Sequence, residues 1–220
     1  MVKIVSFDLE GTLVTQDFSE FVWLEGIPKL YARKERLNFQ HAKKIVLEEY
    51  EKVGENRIEW YDIKYWLNHF GLKNNYMEVF REYVDKISYY PEVFEVLESL
   101  SKNYVLVLIS NSAREFLEFL TEKIKSYFRY SFSATSDFKF VKKNEKFYRK
   151  VCEILNVKPE NIAHVGDRWE DDFKIPRKVG IQAFYLDRLG KINHEFVVKN
   201  LKEFEIKVRG GKMNGKTGNS

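Results

Sequence analysis

Lys3-Ile4-Val5-Ser6-Phe7-Asp8-Leu9-Glu10-Gly11-Thr12-Leu13 stands almost directly behind the N-terminus. Its first part is short, rich in β-branched and aromatic residues, and apolar at nearly every position rather than at alternate ones. Such a run suits a strand buried on both faces, as in a parallel sheet covered by helices on either side. Two carboxylates two residues apart, followed by a glycine, then leave the strand together. In an open parallel sheet, ligands bind beyond the carboxyl ends of the strands. Asp8 and Glu10 are therefore the first candidates for chemistry.

Similar apolar runs recur at 104–109, 130–134, 162–165 and 182–186, with helical periodicity between them at 91–102, 113–125, 145–155 and 171–179. Strands alternating with helices predict right-handed βαβ units, and so an α/β fold with a Rossmann-like, doubly wound parallel sheet. Residues 17–86 break that rhythm. They hold no convincing strand but carry helical spacing, as in Trp60, Ile63, Trp66 and Phe70. Gly26-Ile27-Pro28, Gly54-Glu55-Asn56 and Gly71 read as turns. The expected organisation is a core at 1–16 and 87–208 and a second, smaller all-helical cap domain at 17–86. Beyond Val208 the composition collapses to Gly, Lys and Asn, which predicts a flexible tail at 209–220. The aromatic stripes of the insert (Trp23, Tyr31, Trp60, Trp66, Phe70, Tyr76, Phe80) are expected chiefly in its core.

The chain has 220 residues, 44% of them apolar and 16% aromatic, enough to bury a sizeable core. No run approaches the roughly 20 apolar residues of a membrane span, and the N-terminus lacks signal-peptide character. The only cysteine, Cys152, excludes an internal disulfide and fits a reducing, cytoplasmic setting. The net charge of +4 is carried by the last fourteen residues, which hold four bases and no acid, so the body is neutral. That argues against a nucleic-acid partner, although Lys139-Phe140-Val141-Lys142-Lys143-Asn144 mixes bases and aromatics as such a surface would.

The second apolar run ends in Ser110-Asn111-Ser112, and the fourth in Gly166-Asp167-Arg168-Trp169-Glu170-Asp171-Asp172. Carboxylates from two non-sequential strand ends can converge on one hard cation. Taken together, these residues resemble the haloacid dehalogenase superfamily of phosphatases. Asp8, Glu10 and Thr12 match its Asp-x-Asp-x-Thr motif, with Glu10 as the one departure. Ser110 matches the Ser or Thr that closes a strand, and Gly166, Asp167 and Asp172 match the acidic fourth motif. Counting back from Val157-Lys158-Pro159-Glu160 places the motif lysine at Lys142, with Lys143 the rival, because the usual following proline is missing. The all-helical insert sits where one group of the family carries its mobile cap.

The resemblance implies a hydrolase acting on a small phosphorylated substrate, with Mg²⁺ as cofactor and Asp8 as nucleophile. A metal would be held by Asp8, Asp167, Asp172 and the backbone carbonyl of Glu10, with Asp172 mainly orienting the lysine and the metal shell. Glu10 would serve as general acid and then base, while Ser110, Asn111 and Lys142 would hold the phosphoryl group. Dehalogenation of a 2-haloacid by the same nucleophile is the alternative, but such enzymes typically lack the acid at the Glu10 position. A degenerate domain serving as a binding module is another. His164, inside an apolar run, and Cys152, on an apolar helix face, read as core residues. His41 and His69 show no metal spacing, and Arg168 and Trp169 are placed at the entrance to the site.

Overall fold

The structure, a computed structural model, describes residues 1–213. Its centre is a six-stranded sheet of β1 (Ile4–Phe7), β2 (Val105–Ser110), β3 (Tyr130–Ser133), β4 (Ile162–Gly166), β5 (Gln182–Leu186) and β6 (Val197–Val198). The order is β3-β2-β1-β4-β5-β6, and every pairing is parallel. This is the doubly wound α/β arrangement. The chain reverses its direction of progress across the sheet at β1 and β4, and that switch point opens the crevice in which such sheets bind ligands. β6 escapes detection in the sequence because two residues show no periodicity.

Successive residues of β1 enter different cores. Val5 and Phe7 join a cluster with Leu106, Leu108, Ala163 and Val165, while Ile4 joins Val107, Ile109 and Ile162 on the opposite face. The first face is covered by α6 (Val93–Ser101), α7 (Arg114–Leu120) and α11 (Leu201–Met213). The second is covered by α9 (Glu145–Leu155) and α10 (Ile175–Val179), with the short α8 (Ala134–Phe138) following β3. Cys152 lies within this second core. Two helices are shorter than the apolar pattern suggests, because α7 stops at Leu120 and the segment before α10 is a π-turn at Trp169–Lys174.

Between β1 and β2 lie α1 (Asp17–Phe21), a π-turn at Val22–Gly26, α2 (Ile27–Glu35), α3 (Phe39–Val53), α4 (Ile63–His69) and α5 (Tyr76–Glu82). The turn expected at Gly26-Ile27-Pro28 is absent: α1, the π-turn and α2 run on without a break. Gly26 has helical backbone angles, and a Cβ there would press on Val79 and Tyr83. Pro28 follows directly on the π-helical segment Val22–Gly26 and has no N–H to donate to the turn before it. Gly54 and Gly71 do turn the chain, both with positive φ. The insert packs on the sheet domain through aromatic rings. Phe18 stacks on Phe119 at 5.4 Å, and Phe80 meets Phe116 at 4.6 Å.

The expected flexible tail is corrected in part. Helix α11 continues past Val208, and Arg209 donates to Glu205 Oε1 (2.8 Å), Ser99 Oγ (2.9 Å) and the Ser99 carbonyl (3.1 Å). Residues 214–220 of that tail lie outside the described residues.

Candidate active site

Asp8 extends the β1 ladder by one step, its N–H donating to the Val165 carbonyl at 2.9 Å. The chain then folds back on itself, with the Leu13 and Val14 amides both reaching the Leu9 carbonyl. Gly11 takes φ +82 in this loop, and a Cβ there would fall on the Asp167 carboxylate. Only glycine meets both demands. Arg188, just past β5, fixes the loop from outside. It donates to the Thr12 carbonyl (2.8 Å) and Glu92 (2.9 Å) and stacks over the Tyr90 ring.

Lys143 is fully buried, and its ammonium lies 2.5 Å from Asp8 Oδ1 and 2.5 Å from Asp172 Oδ1. This corrects the placement of the motif lysine. The Lys142 ammonium instead pairs with Glu55 of the insert at 3.2 Å, away from Asp8. Two local bonds set this register. The Asn144 side chain caps α9 by accepting from the Phe147 amide, and the Lys143 amide donates to Asn111 Oδ1 at 2.7 Å. Burial alone would lower the pKa of Lys143, but Asp172 and Asp8 outweigh it and raise it, so the ammonium stays charged.

Asp172 is held from several sides. It accepts from the Arg168 amide (3.1 Å) and pairs with His164 Nε2 at 3.2 Å. Burial would raise its pKa, yet Lys143 and His164 bring it down to about 2. Burial lowers the His164 pKa, so its imidazole is neutral. The network assigns the proton to Nε2, leaving Nδ1 to accept from the Ser6 hydroxyl at 2.9 Å. His164 is thus a satisfied core histidine that also steadies the acid behind the lysine. A sequence pattern could not reveal that contact, because it joins β1, β4 and the loop after it.

Asp8 and Asp167 differ from Asp172. Burial pushes the Asp8 carboxyl well up against the pull of Lys143, and burial with Asp172 pushes Asp167 up to about 6. Asp167 Oδ1 is buried and has no hydrogen-bond partner among the described residues. Asp8, Asp167 and Asp172 each offer an oxygen within 4.8 Å of the others. A buried, unpartnered carboxylate oxygen in an oxygen-only donor set fits a hard divalent cation such as Mg²⁺.

Glu10 turns away from this cluster toward the insert. Its Oε2 accepts from the Ser112 hydroxyl at 2.5 Å, while burial pushes its pKa up. Ser112 therefore belongs to the site, although the sequence pattern drew attention only to its neighbours. Ser110 is buried at the end of β2, and its Oγ accepts from the Ser112 amide at 3.1 Å. Asn111 has both ends of its amide engaged, by the Lys143 N–H and by Asp171 Oδ2 (3.1 Å), and so braces the lysine loop. A cavity of about 580 Å³ lies over Asp8, Glu10 and Ser110 and beneath the insert. Arg168 lines it, whereas Trp169 packs on Phe173 and Tyr185 instead.

The sequence model of haloacid dehalogenase-like hydrolases matches residues 2–180. The glyceraldehyde 3-phosphate phosphatase of Pyrococcus furiosus is 26% identical over 196 residues, covering 84% of this chain and 80% of its own. The crystal structure of a HAD phosphatase from Thermococcus onnurineus superposes with a TM-score of 0.81 at 24% identity, covering 96% of this chain and 99% of its own. A 2-haloacid dehalogenase from Pseudomonas syringae pv. Tomato DC3000 gives 0.69 at 21% identity, covering 96% and 100%. The two structural likenesses concern the fold.

Proposed function

The chain belongs to the haloacid dehalogenase-like hydrolases, and from that membership we propose that it is a magnesium-dependent phosphatase working through an aspartyl-phosphate on Asp8. The observation that carries this reading is the unpartnered Asp167 Oδ1 beside the buried Asp8–Lys143–Asp172 assembly. Asp8, Asp167 and the Glu10 backbone carbonyl would hold the cation. Asp172, with both oxygens already bonded, would orient Lys143. When bound there, Mg²⁺ would neutralise the phosphoryl oxygens and align the group.

Asp8 attacks phosphorus with a carboxylate oxygen, forming the acyl–phosphate bond as the ester P–O bond breaks. Lys143 favours the ionised form of Asp8 against the effect of burial and, with Ser110, faces the charge that builds on the phosphoryl oxygens. Glu10 gives its proton to the departing alkoxide. The resulting Glu10 carboxylate then takes a proton from water, which attacks phosphorus and frees phosphate and Asp8. The raised pKa of Glu10 suits the first of these tasks. A dehalogenase would use the same nucleophile on carbon but gives Asp167 Oδ1 nothing to do.

The substrate is a small soluble phosphate ester, and no helix among the described residues is long and apolar enough to cross a membrane. A Mg²⁺-supplemented screen of phosphorylated metabolites, with chloroacetate alongside, tests the reading. Phosphate release is expected. Chloride release without phosphate release would replace the reading by dehalogenation.

A further inference from the structure

The cavity over Asp8 is far roomier than one phosphoryl group requires, at about 580 Å³. Its floor is catalytic, with Asp8, Glu10 and Ser110, while its roof is aromatic. Trp23, Tyr50, Trp60 and Tyr61 come from the insert and Phe116 from α7. The polar tips of the two tyrosines are turned away. Tyr50 Oη donates to the Trp23 carbonyl at 3.3 Å, and Tyr61 Oη to the Glu55 carbonyl at 3.4 Å. Ring faces make up most of the roof, with Gln16 and Ser19 as polar neighbours on the lining.

With the insert in this orientation, the rings hold one another in place. Trp23 stacks on Phe116 at 5.2 Å and 26°, and Tyr50 stands perpendicular to Trp23 at 6.0 Å. Trp66, fully buried, backs Tyr50 edge-to-face at 4.5 Å. Such a pocket loses little side-chain entropy on closing around a flat guest. A polyol leaving group would give up water against rings over most of the roof and find hydrogen-bond partners only in the polar side chains beside them, such as Gln16 and Ser19. The remaining charges on the lining point the same way. Glu20 and Glu51 are exposed carboxylates on the lining, whereas Arg168 already faces Asp171 at 3.6 Å. Anionic leaving groups are disfavoured.

We infer that the leaving group is a flat, non-anionic aromatic or heteroaromatic alcohol that stacks within this roof. This deepens, and rests on, the phosphatase reading. Glu10 on the floor would meet the ester oxygen that joins the two parts of the substrate.

The test compares benzyl phosphate with glycerol 1-phosphate, both esters of primary alcohols, so that leaving-group basicity is similar. Phosphoglycolate and phosphocholine complete the panel, with Mg²⁺ present throughout. kcat/KM should favour benzyl phosphate by roughly tenfold or more, the scale of one aromatic stacking contact, with the difference in KM. In Trp60→Ala that preference should shrink severalfold, and in Trp60→Phe it should largely return. Calorimetry on the Asp8→Asn variant should show the same order of affinities without turnover. Equal or better use of glycerol 1-phosphate, with Trp60→Ala leaving the ratio intact, would overturn the inference while leaving the phosphatase reading standing. Phosphocholine as the best substrate would overturn it too, in favour of a cation cage. Phosphate release from no member of the panel would overturn both.

Discussion

Lys143 and Lys142 are adjacent in sequence and opposite in physical situation. Lys143 has no solvent contact and bridges two carboxylates, whereas Lys142 makes a partly exposed pair with Glu55. Removing one partner of a buried ion cluster costs about 3–5 kcal/mol because the remaining charges stay buried. Lys143→Ala should lose about that much in urea unfolding and lose turnover as well. Lys142→Ala should lose at most about 1 kcal/mol and keep its rate, and a reversed pattern in this paired measurement would return the role to Lys142. Glu10 poses a question of reach, since glutamate is one methylene longer than the aspartate of the commonest pattern. Here the carboxylate is bonded to Ser112 rather than folded back on Asp8. Glu10→Ala should slow hydrolysis by roughly 10²–10⁴, and by less for an aryl phosphate, whose leaving oxygen needs little protonation. Equal losses for aryl and alkyl phosphates, with chemistry limiting both, would remove Glu10 from the acid role. His164→Gln should weaken the hold on Asp172. A stability loss of about 1–3 kcal/mol for the unsatisfied partners, together with a fall in kcat, is expected from melting and steady-state assays.

The elements explain what could and could not be read from the sequence. β1, β2, β3, β4 and β5 are legible because burial on both faces makes each a short continuous apolar run, and β6 is too short to show any pattern. Asp8, Asp167 and Asp172 are legible as candidates because each follows a recognisable strand end. Lys142 and its rival Lys143 could not be told apart in the sequence because the loop lacks the usual proline, and the register is set by Asn111 and the Asn144 cap. Gly26 and Pro28 misled because a glycine can serve close helix packing and a proline can follow a π-helical segment inside a continuous helical run. The rings of Trp23 and Trp60 have core spacing yet border the cavity, a distinction that needs the third dimension. The two segments that cross between sheet and insert are themselves paired. The Thr15 amide donates to the Ser88 carbonyl at 2.8 Å, and the Tyr90 amide to the Leu13 carbonyl at 3.1 Å. We expect the insert to move as a cap about this paired hinge, sliding on Phe116 and Phe119, to exclude water during phosphoryl transfer. Crystal structures with and without a phosphate analogue should show two cap orientations. A single orientation with an open site would contradict gating.

At the scale of the whole molecule, a doubly wound sheet brings strand ends distant in sequence to one crevice, and an inserted set of helices roofs it. The sheet side supplies most of the buried charge and the roof supplies rings, so the proposed chemistry and the proposed selection fall to different parts of the chain. In the proposed reaction Asp8 performs a cation-assisted attack on phosphorus. The most direct measurement is phosphate release from an aryl phosphate by the wild-type protein and Asp8→Asn, each with Mg²⁺ and after exhaustive chelation. Release by the wild type with Mg²⁺ alone is the predicted result, since the near-isosteric amide cannot attack. Full wild-type activity after chelation would rule out the cation's role, and more than a trace of it in a folded Asp8→Asn would rule out Asp8 as the nucleophile.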